Sequence, residues 1–137
     1  MDKNPIKSYR QNERGSARIK FFSILLFLFL MGNAAFNYIP VAYQGENFKQ
    51  EMQTAIVQGV ALPGKGITAA DTVKAKLIRA ARDNNLPPAV IDVKQPNSIV
   101  TAHVVYSKDV SILPFGIYNY HYEFNHTATP TGFLLKN

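Results

Sequence analysis

A chain of 137 residues with 47% hydrophobic and 18% charged residues has room for one small domain beside any membrane segment. It holds no cysteine, which excludes disulfides, thiolate metal sites, covalent c-type haem attachment and a cysteine nucleophile. The net charge of +6 is gathered at one end, so it does not argue for nucleic-acid binding by the remainder.

Residues 1–20 carry Lys3, Lys7, Arg10, Arg14, Arg18 and Lys20 against Asp2 and Glu13, a flank of +4. Residues 21–31 follow as the most apolar run of the chain, and extending it to residue 43 gives about the twenty residues a helix needs to cross a ~30 Å hydrocarbon core. The spacing predicts one transmembrane helix over 21–43. The positive-inside rule keeps the basic tail in the cytoplasm and sends the rest of the chain outside. Tyr38 and Tyr43 suit the headgroup level, and Pro40 sits where the helix bends or stops as it emerges. Asn33 and Asn37, one turn apart, mark either a helix contact or a wet outer interface. A cleavable leader shares the basic start, the apolar stretch and the small residues Gly32, Ala34 and Ala35; a retained helix is the expectation.

Residues 44–137 hold nine basic and seven acidic side chains, only +2. Phe48, Met52, Ala55, Ile56 and Gly59 recur at spacings of three and four, which predicts an amphipathic helix over 46–58. A Pro- and Gly-containing stretch at 61–66 interrupts it. Thr68, with Asp71 three residues on, is an acidic variant of the capping box and opens a second helix over 69–84. Val73, Leu77, Ala80 and Ala81 line one face of that helix, and Arg79 and Arg82 suit its C-terminal dipole. Asn84, Asn85, Leu86, Pro87 and Pro88 end it.

The periodicity then changes to two. Residues 90–93 form a short strand and 95–98 a turn; 99–112 alternate Val100, Ala102, Val104 and Tyr106 against Thr101, His103, Val105 and Ser107. Tyr118, Tyr120, Tyr122 and Phe124 alternate with Asn119, His121, Glu123 and Asn125, with a hairpin turn at Leu113, Pro114, Phe115 and Gly116. The expected fold class is α+β: one N-terminal transmembrane helix followed by a small two-layer domain of two helices and a three-stranded antiparallel sheet. The expected organisation is a basic cytoplasmic tail over 1–20, the span over 21–43 and an exported α+β domain over 44–137. Phe133, Leu134 and Leu135 in the tail are expected to dock on the domain or on a neighbour.

Chemistry is sparse. His121 and His126 lie five apart, on opposite faces of a strand; His103 and His121, with Glu123 nearby, are candidates for a cross-strand metal-binding or titrating cluster, but solvated polar-face residues are the favoured reading. Pro63, Gly64, Lys65 and Gly66 lack the pattern of a phosphate loop, and no Gly-x-Ser-x-Gly elbow or paired acids stand out. Asn125-His126-Thr127 matches a glycosylation sequon. The tyrosine stripe reads as a core face before it reads as a stacking platform. No catalytic, cofactor-binding or metal-ligating residue is assigned, and no cofactor is expected.

Arg14-Gly15 before an apolar helix invites comparison with type IV pilins, which carry a glutamate at the fifth position after the cut; here that position is Lys20. The Asn12-Glu13-Arg14-Gly15 start, the apolar helix with Pro40 and Tyr43 at its exit, the amphipathic helix, and strands bearing Val104, Tyr106 and Val110 together resemble the DUF4845-like small bacterial single-pass membrane proteins. That resemblance implies a bacterial inner-membrane anchor with a periplasmic α+β domain, and carries over no catalytic residues. Two functional classes follow as expectations. One is a noncatalytic accessory or structural subunit of a larger membrane complex, respiratory, photosynthetic or transport, with membrane lipids and other integral subunits as partners. The other is an independent membrane-anchored binding module or pilus-like envelope component.

Overall fold

The computed structural model describes residues 13–130. Helix α1 (Glu13–Ala61) leads into α2 (Ala69–Asp83), followed by strands β1 (Val90–Lys94), β2 (Thr101–Ser111) and β3 (Asn119–Ala128). The strands form one antiparallel sheet in the order β1-β2-β3, and the helices cover one of its faces. The expected α+β class, the second helix and the three strands are all present. The tail residues Phe133, Leu134 and Leu135 lie outside the described residues, as do Lys3, Lys7 and Arg10 of the basic flank.

The separation of the span from the helix at 46–58 is corrected: both belong to α1, 49 residues long and about 73 Å at 1.5 Å per residue. Pro40 lies inside it without ending it. Proline removes one hydrogen bond of the helical ladder, but packing just beyond it holds the helix on course. Val41, Gly45, Phe48, Met52, Ala55, Ile56 and Gly59 are buried in one continuous seam at spacings of three and four. The seam begins one residue past the proline.

The core joins Phe48, Met52 and Ile56 of α1 to Val73 and Leu77 of α2 and to Val100, Ala102, Val104, Tyr106, Phe124 and Ala128 from the sheet side. Tyr106 and Phe124 stack at 4.7 Å with their planes 11° apart, and Phe48 meets both edge-on. The two helices approach so closely at Gly59 that a Cβ built there collides with Val73.

Helix α2 starts as its sequence dictates. The Thr68 hydroxyl accepts from the Asp71 amide at 3.1 Å and donates to the Asp71 carboxylate at 2.7 Å. Its C-terminal end is closed by Asn85 at φ 51°, with the Leu86 amide reaching back to the Ala81 carbonyl at 3.0 Å, a Schellman closure. The Asn84 side-chain amide donates to the Glu51 carboxylate at 2.9 Å and ties that end to α1.

Candidate membrane-proximal site

The N-terminal half of α1 is long and apolar enough to cross a membrane, and none of its most hydropathic window is buried within the protein. Phe21, Phe22, Ile24, Leu25, Leu26, Phe27, Leu28 and Phe29 stand exposed around the whole circumference. A helix apolar on all sides suits lipid or other apolar helices rather than water. The groove among Phe22, Leu25, Leu26, Leu28 and Phe29 is an open feature of this bare surface, not an enclosed chamber.

The β2–β3 hairpin lies alongside α1 with its turn toward the bare half. Contacts along its length set this direction. The Asn33 side-chain amide donates to the Ile112 carbonyl at 3.0 Å, and Tyr38 meets Tyr120 and Tyr122 edge-on at 5.8 and 6.4 Å. Gly45 leaves space for the Tyr122 hydroxyl and the Phe124 ring, and the Gln53 side chain donates to the Thr129 carbonyl at 2.9 Å. Twenty helical residues and ten extended ones both cover about 30 Å, so helix and strand stay in step over this stretch.

The turn contains Pro114, Phe115 and Gly116, with Phe115 at φ 61° and Gly116 at φ 69°. Glycine takes that conformation freely, whereas a bulky side chain there costs roughly 1–2 kcal/mol. Phe115 nevertheless is 99% exposed, so its ring recovers nothing by packing within the described residues. The tip closes many of its own polar groups. Both Ile112 and Leu113 amides donate to the Tyr118 carbonyl, Ser111 Oγ donates to the Leu113 carbonyl, and the Ile117 amide donates to the Pro114 carbonyl.

The tyrosine stripe is a core face only at its distal end. Phe124 is buried and Tyr122 half-buried, but Tyr120 and Tyr118 are exposed, because beyond the core α1 gives them little cover, with Tyr38 meeting Tyr120 and Asn33 reaching Ile112. Burial pushes the Tyr122 phenol above its ordinary range, and the nearby Lys49 charge opposes that shift. Tyr106, on the opposing strand, is the deeper of the two. Its phenol is pushed up to about 12 by burial, with Tyr122 adding to the shift, and its hydroxyl has no hydrogen-bond partner among the described residues.

The candidate cross-strand cluster of His103 and His121, which the sequence ranks behind solvated polar-face residues, does not form. The hairpin folds about Phe115, which sets His121 opposite Asp109 and His103 opposite Thr127. The two histidines are therefore separated by six positions along the sheet, about 20 Å. His121 Nδ1 pairs with Asp109 at 2.6 Å and His103 Nε2 with the Asn125 side chain at 2.8 Å, while Glu123 lies opposite Ser107. All sit on the open, polar face. Among the described residues no group of three or more His, Asp or Glu side chains is placed to hold a metal ion. The loop at 63–66 is an ordinary turn before α2, with the Gly64 amide donating to Thr72 Oγ1 at 3.3 Å.

Sequence reasoning missed the hairpin tip and its tie to Asn33. A signal was available: residues 110–120, between Asp109 and His121, include no charged side chain and contain Ile112, Leu113, Phe115 and Ile117. No family model, curated protein or solved structure matches this chain.

Proposed function

We propose that this chain is a noncatalytic accessory or structural subunit of a larger bacterial membrane complex, of the DUF4845-like type. In this reading the basic tail is cytoplasmic, α1 spans the inner membrane, and the domain stands in the periplasm. The carrying observation is the unbroken path from bare helix to buried core. An apolar surface exposed all round turns, without a linker, into the spine of the domain, and the hairpin is fastened back along it. A binding module on a tether needs no such stiffness, whereas a subunit that clamps a neighbour needs its domain held at a fixed attitude to the bilayer. Bare apolar helices associate in membranes by packing against other helices, and α1 offers that surface over several turns.

Extraction in mild detergent at natural abundance, followed by sizing and mass spectrometry, tests this. Stoichiometric recovery with a defined set of integral proteins supports the subunit reading and names the process. Recovery as a lone monomer overturns it.

The continuous helix also favours one second reading, a pilus-like envelope component in which copies bundle through their bare halves with their sheets outward. Lys20 counts against it, since a cation inside such a bundle needs a buried partner. Filaments in sheared cell-surface fractions would establish this alternative in place of the first.

A further inference from the structure

We propose that the tip of the β2–β3 hairpin, led by Phe115 and Ile117, is embedded in the lipid leaflet on the domain's side of the membrane, giving the domain a second anchor beside α1. The inference rests on the reading of α1 as a membrane span, and its geometry follows from one hydrogen bond. Asn33 holds the Ile112 carbonyl, so the tip stands at the level of Asn33 on the helix. If the hydrocarbon begins at Phe21, Asn33 lies about 18 Å along a helix that must cross ~30 Å. Moving the start back to Arg18 places it about 22 Å along, still within the core. The tip cannot reach Asn33 without meeting the same lipid.

Its composition agrees with that position. Phe115 is 99% exposed and Ile117 73% exposed, and Asp109 and His121 face each other across the neck of the hairpin, beyond the apolar tip. Tyr38, five residues or about 8 Å further along α1 than Asn33, meets Tyr120 edge-on, and both rings are partly exposed near the outer end of the span, where such rings favour the headgroups. Each backbone polar group paired within the protein lowers the cost of entering hydrocarbon. Here the Ile112 and Leu113 amides and the Ile112, Leu113 and Pro114 carbonyls all have partners. The strained backbone at Phe115 presents a ring that packs against nothing in the described residues, and lipid supplies the missing contact.

The absence of tryptophan makes the test direct. Full-length single-tryptophan variants Phe115→Trp and Ile117→Trp are reconstituted into phosphatidylcholine vesicles with acyl chains brominated at defined depths. Phe29→Trp reports the span, and Val90→Trp, exposed on β1, reports the aqueous domain. The expected result is blue-shifted emission from Phe115→Trp and Ile117→Trp, quenched by bromolipid nearly as strongly as Phe29→Trp, with Val90→Trp quenched only by aqueous iodide. Iodide quenching of both tip variants, with Phe29→Trp still quenched by bromolipid, overturns the second anchor and leaves the span intact. If Phe29→Trp also escapes bromolipid, the span reading fails and the inference fails with it.

Discussion

The side-chain amide of Asn33 donates to the backbone carbonyl of Ile112 at 3.0 Å, bridging 79 residues of sequence. In a low-dielectric setting an orphaned carbonyl is costly, so Asn33→Leu is expected to destabilise the docked hairpin by about 1–3 kcal/mol. Hydrogen exchange in micelles would show it as faster exchange at the Ile112 and Leu113 amides, with the core around Phe48 unchanged. Asn37→Leu serves as the control, since its side chain makes no hydrogen bond among the described residues. Equal effects from both variants would refute the tie.

Gly59 lets α1 and α2 touch, since a Cβ there collides with Val73 Cγ2 and lies 3.3 Å from the Val73 backbone nitrogen. Gly59→Ala is expected to cost about 1–3 kcal/mol through overpacking, despite alanine's better helix propensity. Gly32→Ala meets nothing within 4 Å and should carry no packing cost. Denaturant unfolding of the two variants decides the matter.

Tyr106 buries a hydroxyl with no partner among the described residues, and Tyr106→Phe keeps the ring stacked on Phe124. A gain on the order of 1 kcal/mol is expected near neutral pH. The pH dependence has a definite sign. The folded phenol titrates at about 12 against an ordinary 10, so the unfolded chain loses its proton first. Stability is therefore full below pH 10 and falls between about 10 and 12. Alkaline unfolding curves should show a shallower fall for Tyr106→Phe than for the parent chain.

Thr68→Ala removes the cap that receives the Asp71 amide, and about 1 kcal/mol of stability should go with it. Thr68→Ser, which keeps the acceptor, is expected to restore most of the loss in thermal unfolding.

Where local chemistry decides structure, the sequence was a sufficient guide. Thr68 and Asp71 marked the start of α2, and the alternation through Ala102, Val104 and Tyr106 marked the buried face of β2. Pro40 misled because its local preference is to end a helix, while the seam of Val41, Gly45 and Phe48 that carries α1 onward is a tertiary effect. Following the spacing of three and four backward from Phe48 would have exposed it. The less favoured reading, a cross-strand histidine pair, failed on register, since the site of the turn at Phe115, and not residue type, decides what faces His121. The tie from Asn33 to Ile112 was illegible for a simpler reason: a side chain bonding a distant carbonyl leaves no periodic trace.

Because α1 runs from the bare segment into the core without a hinge, the domain must follow whatever the helix does, and under the proposed span that includes its tilt in a bilayer. A membrane that thins makes an apolar helix tilt to hide its length. With about 30 Å of helix carried above Pro40, a tilt of ~10° would swing the far end of the domain sideways by about 5 Å. Under the proposed span, bilayer thickness thereby becomes a mechanical input to the position of the sheet's open face.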